Sequence, residues 1–258
     1  MKFNLIFKAS ILLLLSVNLL AVERNTTIFN PKITPYSITI IGEQHGHPES
    51  IQFFQSLIKG YLKNNKCLTV ALEISSNQQT VIDQIVKGRA AASELNISSI
   101  IDQPALRKMI DDIGYQKRNG VCLDLLAIDT NKLNTSRDEW MGVQLKKYYQ
   151  KNPVLVLLGG LHSLKKVNWD LSMTKGGRYV AEILNEQGIN VRTYPQIWVD
   201  SECGNSQKLN YKFVPSQNKE ALNFLNSYFI SILNAYDFSN ASEAVDGVIL
   251  WECTNHLD

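Results

Sequence analysis

Strand-like apolar runs alternate with helical patterns along most of the chain, and this alternation restricts the fold more than any other feature. The strand-like runs cover residues 37–41, 68–74, 121–128, 154–158, 190–199 and 245–251. The helical patterns cover residues 48–64, 77–87, 103–118, 136–150, 178–187 and 219–235. Strands that are joined by helical crossovers run parallel to one another. The sequence therefore predicts an α/β fold with a mostly parallel central sheet and helices on both faces.

The length fits a single domain of this class. The chain has 258 residues, of which 45% are hydrophobic, and it shows no internal repeat, low-complexity tract or linker. Because this is enough chain to bury a substantial core, we predict one domain over residues 22–258. The formal net charge is only +2 and no stripe of Lys or Arg dominates, which argues against a nucleic-acid partner. The sequence indicates no oligomeric state.

The amino terminus has the pattern of a secretory signal peptide. Lys2 and Lys8 precede an apolar stretch, Ile11–Ala21, which is too short to span a bilayer comfortably. We predict a signal peptide over residues 1–21, cleavage near Ala21 and no stable membrane span afterwards; an uncleaved membrane anchor is the alternative. No Cys follows the apolar stretch, so a lipid anchor is not indicated. The expected location is secreted or periplasmic.

The four cysteines suit an exported protein with two disulfides. They contain no C-x-x-C pair, which argues against a structural zinc site. Cys67 and Cys122 each begin an apolar run, whereas Cys203 and Cys253 each follow one. Because neighbouring parallel strands place like ends together, we predict the disulfides Cys67–Cys122 and Cys203–Cys253. Four free buried thiols are the alternative.

Two short segments of the form G-x-x-H carry the strongest functional signal. Gly42–His45 follows the first strand-like run and Gly159–His162 follows the fourth, and the chain has only four histidines. Loops at the carboxyl ends of parallel strands converge on one crevice in an open α/β sheet. We therefore expect Glu43, His45 and His162 to lie in one polar site.

Carboxylates and a further histidine follow the same pattern. Glu73 ends a buried run, where an unpartnered carboxylate would be costly, so it is a candidate site residue; a strand that ends at Leu72 with a solvated Glu73 is the alternative. Asp129 lies one residue beyond the third strand and is a weaker candidate on the same argument. We expect His47 to line the mouth of the site.

Two imidazoles with two or three carboxylates suit two kinds of chemistry. They could bind a divalent metal that activates water, with His45, Glu73 and His162 as ligands. They could also act without metal, with a histidine as general base on water and a glutamate that orients it. The serine-hydrolase pattern G-x-S-x-G is absent, which favours a water nucleophile. Gly42, Gly159 and Gly160 would offer backbone N–H groups to an oxyanion.

These motifs resemble a group of related protein families. The segment 42–47 (GEQHGH), followed by Pro48, resembles the opening motif of ChaN-like haem-binding proteins and the G-E-x-x-H opening of erythromycin-esterase-like hydrolases. The two G-x-x-H segments with Glu73 between them resemble the Tiki/TraB metal-dependent peptidases. Residues 137–141 (RDEWM) resemble the R-D-x-x-M stretch of the esterase-like branch. The match covers roughly residues 37–166.

The resemblance implies that Glu43, His45, Glu73 and His162 form the site. The esterase-like branch implies a general-base role for His45, and the Tiki-like branch implies a metal held by Glu73 and the two histidines. Arg137 would approach the site as a partner for an anion or a carbonyl. No lipobox and no position for a haem-ligating tyrosine match the ChaN-like pattern.

The function that the sequence predicts is an exported hydrolase that activates water for a small-molecule or peptide substrate. Its cofactor would be a divalent metal ion if one is used. The alternative is a ChaN-type uptake protein that binds haem or metal without catalysis. A catalytically silent binding domain is a third hypothesis.

Overall fold

A computed structural model describes residue 29 and residues 31–64, 66–130, 136–167, 177–200, 202–228 and 239–255. The predicted signal peptide, residues 1–21, and the last part of the predicted helix 219–235 lie outside these residues.

A seven-stranded sheet in the described residues forms the centre of the fold. Its strands are β1 (Ile38–Glu43), β2 (Leu68–Ser75), β3 (Leu123–Asp129), β4 (Val154–Gly159), β5 (Val191–Trp198), β6 (Gln207–Pro215) and β7 (Gly247–Asn255). Their order is β3-β2-β4-β1-β5-β7-β6, and every neighbouring pair is parallel except β6 with β7. The predicted α/β fold with a mostly parallel sheet is confirmed.

Helices cover both faces of this sheet. They are α1 (Pro48–Leu62), α2 (Gln79–Val86), α3 (Pro104–Arg118), α4 (Arg137–Tyr148), α5 (Val180–Glu186) and α6 (Lys219–Tyr228). The apolar sides of α1, α2 and α3 pack in one core cluster, and those of α4 and α5 pack in a second cluster on the opposite face. The helix α6 packs beside β5 and β7. Alternate residues of each strand face opposite clusters, as the pleat of a strand requires.

Local signals explain where the helices nearest the sheet edge begin. Pro48 occupies the first helical position of α1, where a missing backbone N–H costs nothing. Ser136 caps α4, because its side chain accepts a hydrogen bond from the Glu139 backbone N–H at 3.4 Å. Because α1 follows the end of β1 and α4 follows the end of β3, both helices start near the carboxyl edge of the sheet.

The two predicted disulfides are confirmed. Cys67–Cys122 joins the amino ends of the neighbouring strands β2 and β3, with Cα atoms 4.6 Å apart. Cys203–Cys253 joins the segment after β5 to the carboxyl-terminal part of β7, with Cα atoms 5.4 Å apart. Disulfides persist in oxidising compartments. In the part of the chain that the structure describes, no helix is both long and apolar enough to cross a membrane.

Candidate functional site

The two G-x-x-H segments leave neighbouring strands at the same level. Strands β1 and β4 are adjacent and parallel, and Glu43 is in register with Gly159. The loop after each strand therefore starts at the same point of the carboxyl edge. This register brings His45 to one side of Gly159 and places His162 in the turn that follows it.

His45 is held by the carboxylate of Glu43. The distance from His45 Nδ1 to Glu43 Oε1 is 2.8 Å, and the Glu43 side chain is only 6% exposed. A carboxylate can only accept, so Nδ1 carries the proton and Nε2 keeps its lone pair when the ring is neutral. The hydrogen bond from Glu43 raises the pKa of His45, burial opposes this, and the net shift is upward. The pair has the form of an imidazole oriented and made more basic by a carboxylate.

Gly159 is a glycine because the His45 ring occupies the place of a side chain. A Cβ atom at this position would lie 3.1 Å from His45 Nε2 and 3.6 Å from Glu73 Oε2. The backbone angles of Gly159, φ −56° and ψ 144°, are open to any residue. Close approach of the imidazole, rather than backbone conformation, therefore explains the glycine.

The expected role of the glycines in binding an oxyanion is wrong at two positions. The backbone N–H of Gly159 donates to Glu73 Oε2 at 2.5 Å, so it is not available to a substrate. Gly42 is covered by the turn Gly160–Ser163, where an added Cβ atom would lie 2.7 Å from Ser163 Oγ. Both glycines permit close packing within the protein, and neither opens backbone to a ligand.

Glu73 lies at the centre of the site and is buried. Its side chain is 5% exposed, and it accepts hydrogen bonds from the Gly159 backbone N–H and from Arg137 Nη2. His162 Nε2 lies 3.9 Å from Glu73 Oε1. The alternative of a solvated Glu73 is therefore wrong, because the strand β2 continues to Ser75. The guanidinium supplies the counter-charge that a buried carboxylate requires.

Arg137, at the start of α4, connects Glu73 to Asp129. Its Nε donates to Asp129 Oδ1 at 2.7 Å and its Nη2 donates to Asp129 Oδ2 at 2.8 Å, in addition to the bond to Glu73. Its Nη1 lies 3.3 Å from His162 Nε2. These contacts occupy four of the five guanidinium N–H groups. Arg137 and Asp129 thus reach the site, and within the described residues one N–H of Arg137 Nη1 has no hydrogen-bond acceptor.

Asp138 orients His162, a role that the sequence pattern did not indicate. Its Oδ1 lies 2.5 Å from His162 Nδ1 and also accepts the backbone N–H of Val180 at 2.9 Å. Because Arg137 can only donate to Nε2, the proton of a neutral His162 lies on Nδ1. Asp138 is the second residue of the R-D-x-x-M stretch, so this motif is the one sequence feature from which its role could have been predicted.

The arrangement of these groups does not fit the predicted metal site. In the segments that the structure describes, no three His, Cys, Asp or Glu side chains are grouped to hold a metal ion. Arg137, a cation, contacts both Glu73 and His162, two of the three predicted ligands. A metal ion would have to displace this guanidinium to reach these ligands.

His47 lies at the edge of the site and contacts an aromatic side chain. It is the N-cap residue of α1, and its ring stacks on Trp198 with centroids 4.1 Å apart. Burial lowers the pKa of His47. The structure thus places His47 beside the last residue of β5, two residues along the chain from His45.

The described side chains form two imidazole–carboxylate pairs around one buried glutamate. His45 with Glu43 offers a basic Nε2 atom beside Gly159, and His162 with Asp138 offers a second ring next to Arg137. Such an arrangement can take a proton from water and stabilise the resulting cation. It contains no serine or cysteine nucleophile among these contacts.

Comparisons with solved structures identify proteins of similar fold. ChaN of Campylobacter jejuni, whose structure is described as cofacial haem binding, is 12% identical over 84% of this chain and 88% of that chain, with a TM-score of 0.51. A mutant of the erythromycin esterase EreC in its open conformation is 11% identical over 90% and 95%, with a TM-score of 0.58. A Bacillus cereus protein is 11% identical over 88% and 89%, with the same TM-score.

The chain therefore has a ChaN/erythromycin-esterase-like fold. No protein-family model matches the sequence, and no curated protein sequence matches it significantly. At identities of 11–12% the structural likeness defines the fold, whereas activity has to be argued from the site.

Proposed function

We propose that the protein is a hydrolase that activates water through His45 without a metal ion. The observation that carries this proposal is the His45–Glu43 pair, in which a partly exposed imidazole is oriented by a buried carboxylate at the carboxyl edge of the sheet. One structural neighbour is an erythromycin esterase, which supports hydrolysis as the reaction class by analogy of fold.

His45 is the general base in this mechanism. Its Nε2 atom takes a proton from water while the oxygen attacks the carbonyl carbon of the substrate, and Glu43 stabilises the imidazolium that forms. The tetrahedral intermediate then collapses and expels the leaving group. His45 returns its proton to the leaving oxygen or nitrogen, which restores the neutral imidazole.

The remaining groups stabilise charge around this step. Glu73, which is buried, keeps the exposed Arg137 side chain in place through their ion pair. We assign the N–H of Arg137 Nη1 that has no acceptor among the described residues to the substrate carbonyl oxygen, where negative charge develops. His162, held by Asp138, accepts a hydrogen bond from Arg137 and so fixes the orientation of the guanidinium from the other side.

The substrate class follows from these roles. An ester, a lactone or a peptide presents the carbonyl carbon that the mechanism requires, as a small molecule or as part of a chain. The two disulfides support an oxidising compartment, and we propose that the protein is secreted or periplasmic after removal of residues 1–21.

A substrate panel tests this proposal. Purified protein is assayed with p-nitrophenyl acetate, a γ-lactone and a fluorogenic peptide, each with and without EDTA. We expect turnover of at least one substrate that EDTA does not reduce. Turnover that is lost with EDTA and restored by a divalent metal would contradict the metal-free mechanism, and no turnover of any substrate would contradict the hydrolase.

Haem binding without catalysis is the second candidate function. It is favoured by His47, a partly exposed imidazole stacked on Trp198, and by the fold that the chain shares with ChaN. Histidine is a common axial ligand of haem iron, and His47 is the residue that would hold it. A Soret shift on adding haem that is lost in His47→Ala, in a protein without any ester turnover, would favour this function over the hydrolase.

A further inference from the structure

Both carboxylate oxygens of Asp129 accept hydrogen bonds from one arginine. Oδ1 accepts from Arg137 Nε at 2.7 Å, and Oδ2 accepts from Arg137 Nη2 at 2.8 Å. Oδ1 also accepts the backbone N–H of Thr130 at 2.7 Å. The Asp129 side chain is 15% exposed. The contacts of this carboxylate are therefore made with the protein, although the sequence marked Asp129 as a candidate site residue.

The central sheet fixes the position of Asp129. Asp129 is the last residue of β3 and is in register with Ser75 of β2. Arg137, in contrast, is the first residue of α4, and its side chain is 43% exposed. A functional side chain is placed more precisely by a partner on a rigid strand than by one on a loop. Asp129 is thus a fixed point against which a long, exposed side chain is held.

The paired hydrogen bonds determine the orientation of the guanidinium. Two parallel N–H···O bonds fix the plane of the group, whereas a single bond lets it turn. Asp129 forms such a pair, and Glu73 accepts one N–H from Nη2. The hydrogen bonds to Asp129 are also the largest of the effects that raise the pKa of Arg137. Since Nε and Nη2 face carboxylates, Nη1 is the nitrogen that faces His162, at 3.3 Å from its Nε2 atom.

We propose that Asp129 is a positioning residue that turns Arg137 Nη1 towards the substrate carbonyl. The inference rests on the proposed function, in which an N–H of Nη1 stabilises the negative charge that develops on the carbonyl oxygen. Without Asp129 the guanidinium keeps its single bond to Glu73 and can rotate about it. A displacement of about 1 Å in such a group costs about 10²-fold in rate. Because this donor acts in the transition state, its displacement lowers kcat rather than raising KM.

Replacing the carboxylate by an amide tests this role. In Asp129→Asn one acceptor oxygen becomes an NH₂ donor, so the paired bonds to Arg137 are lost. We expect kcat for p-nitrophenyl acetate to fall about ten- to hundredfold with little change in KM. Asp102→Asn is the matched control, because Asp102 accepts from Nε and Nη2 of Arg107 at the same distances, 2.7 and 2.8 Å. Asp102 lies two residues before α3, on the opposite face of the sheet from α4, so this control should keep wild-type kcat.

Two kinetic readouts respond to a positioning role but not to a general loss of structure. The first is the ratio of kcat/KM for p-nitrophenyl acetate to that for its thionoester, in which sulfur, a weak acceptor, replaces the carbonyl oxygen. This ratio should fall about three- to tenfold in Asp129→Asn, because the donor to the oxygen is displaced. The second is a double-mutant cycle: Arg137→Gln should lower kcat about 10²–10³-fold, and adding Asp129→Asn should change it little further. An unchanged ratio, or losses that multiply, would overturn the positioning role.

A spectroscopic readout separates the failure of this role from the failure of the hydrolase. The NMR signal of the Arg137 Nε–H group, assigned by its absence in Arg137→Gln, should shift and exchange faster with water in Asp129→Asn. That change in a protein without turnover would support the placement of Arg137 by Asp129 and overturn the hydrolase, whereas an unchanged signal would overturn the placement itself. If Asp129→Asn does not fold, Asp129→Glu keeps the charge and both acceptors but moves them by one methylene. Wild-type kcat in Asp129→Glu would then overturn the proposal, and a lower kcat at unchanged KM would support it.

Discussion

Replacing Gly159 by alanine should disturb catalysis far more than stability. The backbone angles of Gly159 suit alanine, so the substitution adds only a methyl group. That methyl would lie 3.1 Å from His45 Nε2, about 0.3 Å closer than ordinary van der Waals contact, and 3.6 Å from Glu73 Oε2, which is ordinary contact. The His45 side chain is 33% exposed, so its ring can move away from the new methyl group.

The size of the effect follows from this geometry. Overpacking in a rigid core costs about 1–3 kcal/mol, but the partly exposed His45 ring can move and so relieve much of this cost. Alanine also stabilises the folded protein by about 0.4–1 kcal/mol, because it lowers the conformational entropy of the unfolded chain. We expect the free energy of unfolding to change by about 1 kcal/mol or less. A displacement of about 1 Å in a reacting group costs about 10²-fold in rate, so a shift of several tenths of an ångström should lower kcat about tenfold.

The assay compares kcat and thermal unfolding of Gly159→Ala with those of a matched control. Gly60→Ala adds the same methyl group to α1, where nothing lies within 4 Å of the new atom. This control should keep wild-type kcat and gain up to about 1 kcal/mol of stability, because alanine is the better helix former. Wild-type kcat in Gly159→Ala would refute the assignment of His45 Nε2 as the reacting atom.

Three further predictions concern packing, covalent stability and pH. Gly42→Ala should lower the free energy of unfolding by about 1–3 kcal/mol, measured by urea denaturation, because its Cβ atom would lie 2.7 Å from a serine hydroxyl oxygen and 3.0 Å from backbone; an unchanged midpoint would contradict this packing. Replacing Cys67 and Cys122 together by serine should cost about 4 kcal/mol for a bridge that spans 55 residues, and a loss below about 1 kcal/mol would show that the bridge constrains little. Because Glu43 raises the pKa of His45 and catalysis needs the neutral ring, kcat/KM should fall as pH drops through a value above about 6.5; Glu43→Gln should move this midpoint to lower pH, and a midpoint that stays fixed would contradict the pairing.

The parts of the site that lie on strands could be predicted from the sequence. Residues 37–41 and 154–158 are short apolar runs followed by glycine, and both are buried parallel strands, β1 and β4. A residue that directly follows such a strand has only one edge of the sheet to occupy. The pattern of the two runs alone is therefore enough to bring Glu43, His45 and His162 to the carboxyl edge.

The parts that depend on packing between distant segments could not be predicted. Asp138 reaches His162 only because α4 packs next to the turn after β4, and adjacent helix residues point in directions about 100° apart. The helical pattern alone therefore did not indicate that Arg137 and Asp138 would both reach the site; only the R-D-x-x-M resemblance pointed to Arg137. The strand β6 was also missed, because it is mostly exposed and, within the described residues, pairs only with β7.

Glu73 could be predicted as a site residue from the cost of burial rather than from a motif. A buried carboxylate at a strand end requires a partner, and Glu73 has one. The identity of that partner could not be predicted, since a metal ion, a proton and an arginine all satisfy the same requirement. The structure gives the arginine, Arg137, on a helix 64 residues further along the chain.

Chemical rescue of His45→Ala by imidazole tests the central claim most directly. The variant is assayed with the ester that the wild type hydrolyses fastest, at increasing concentrations of free imidazole. If His45 is the general base, kcat should fall about 10²–10⁴-fold with little change in KM, and imidazole should restore turnover in proportion to its concentration until it saturates. Wild-type kcat in His45→Ala without imidazole would contradict the account, because water would then be activated elsewhere.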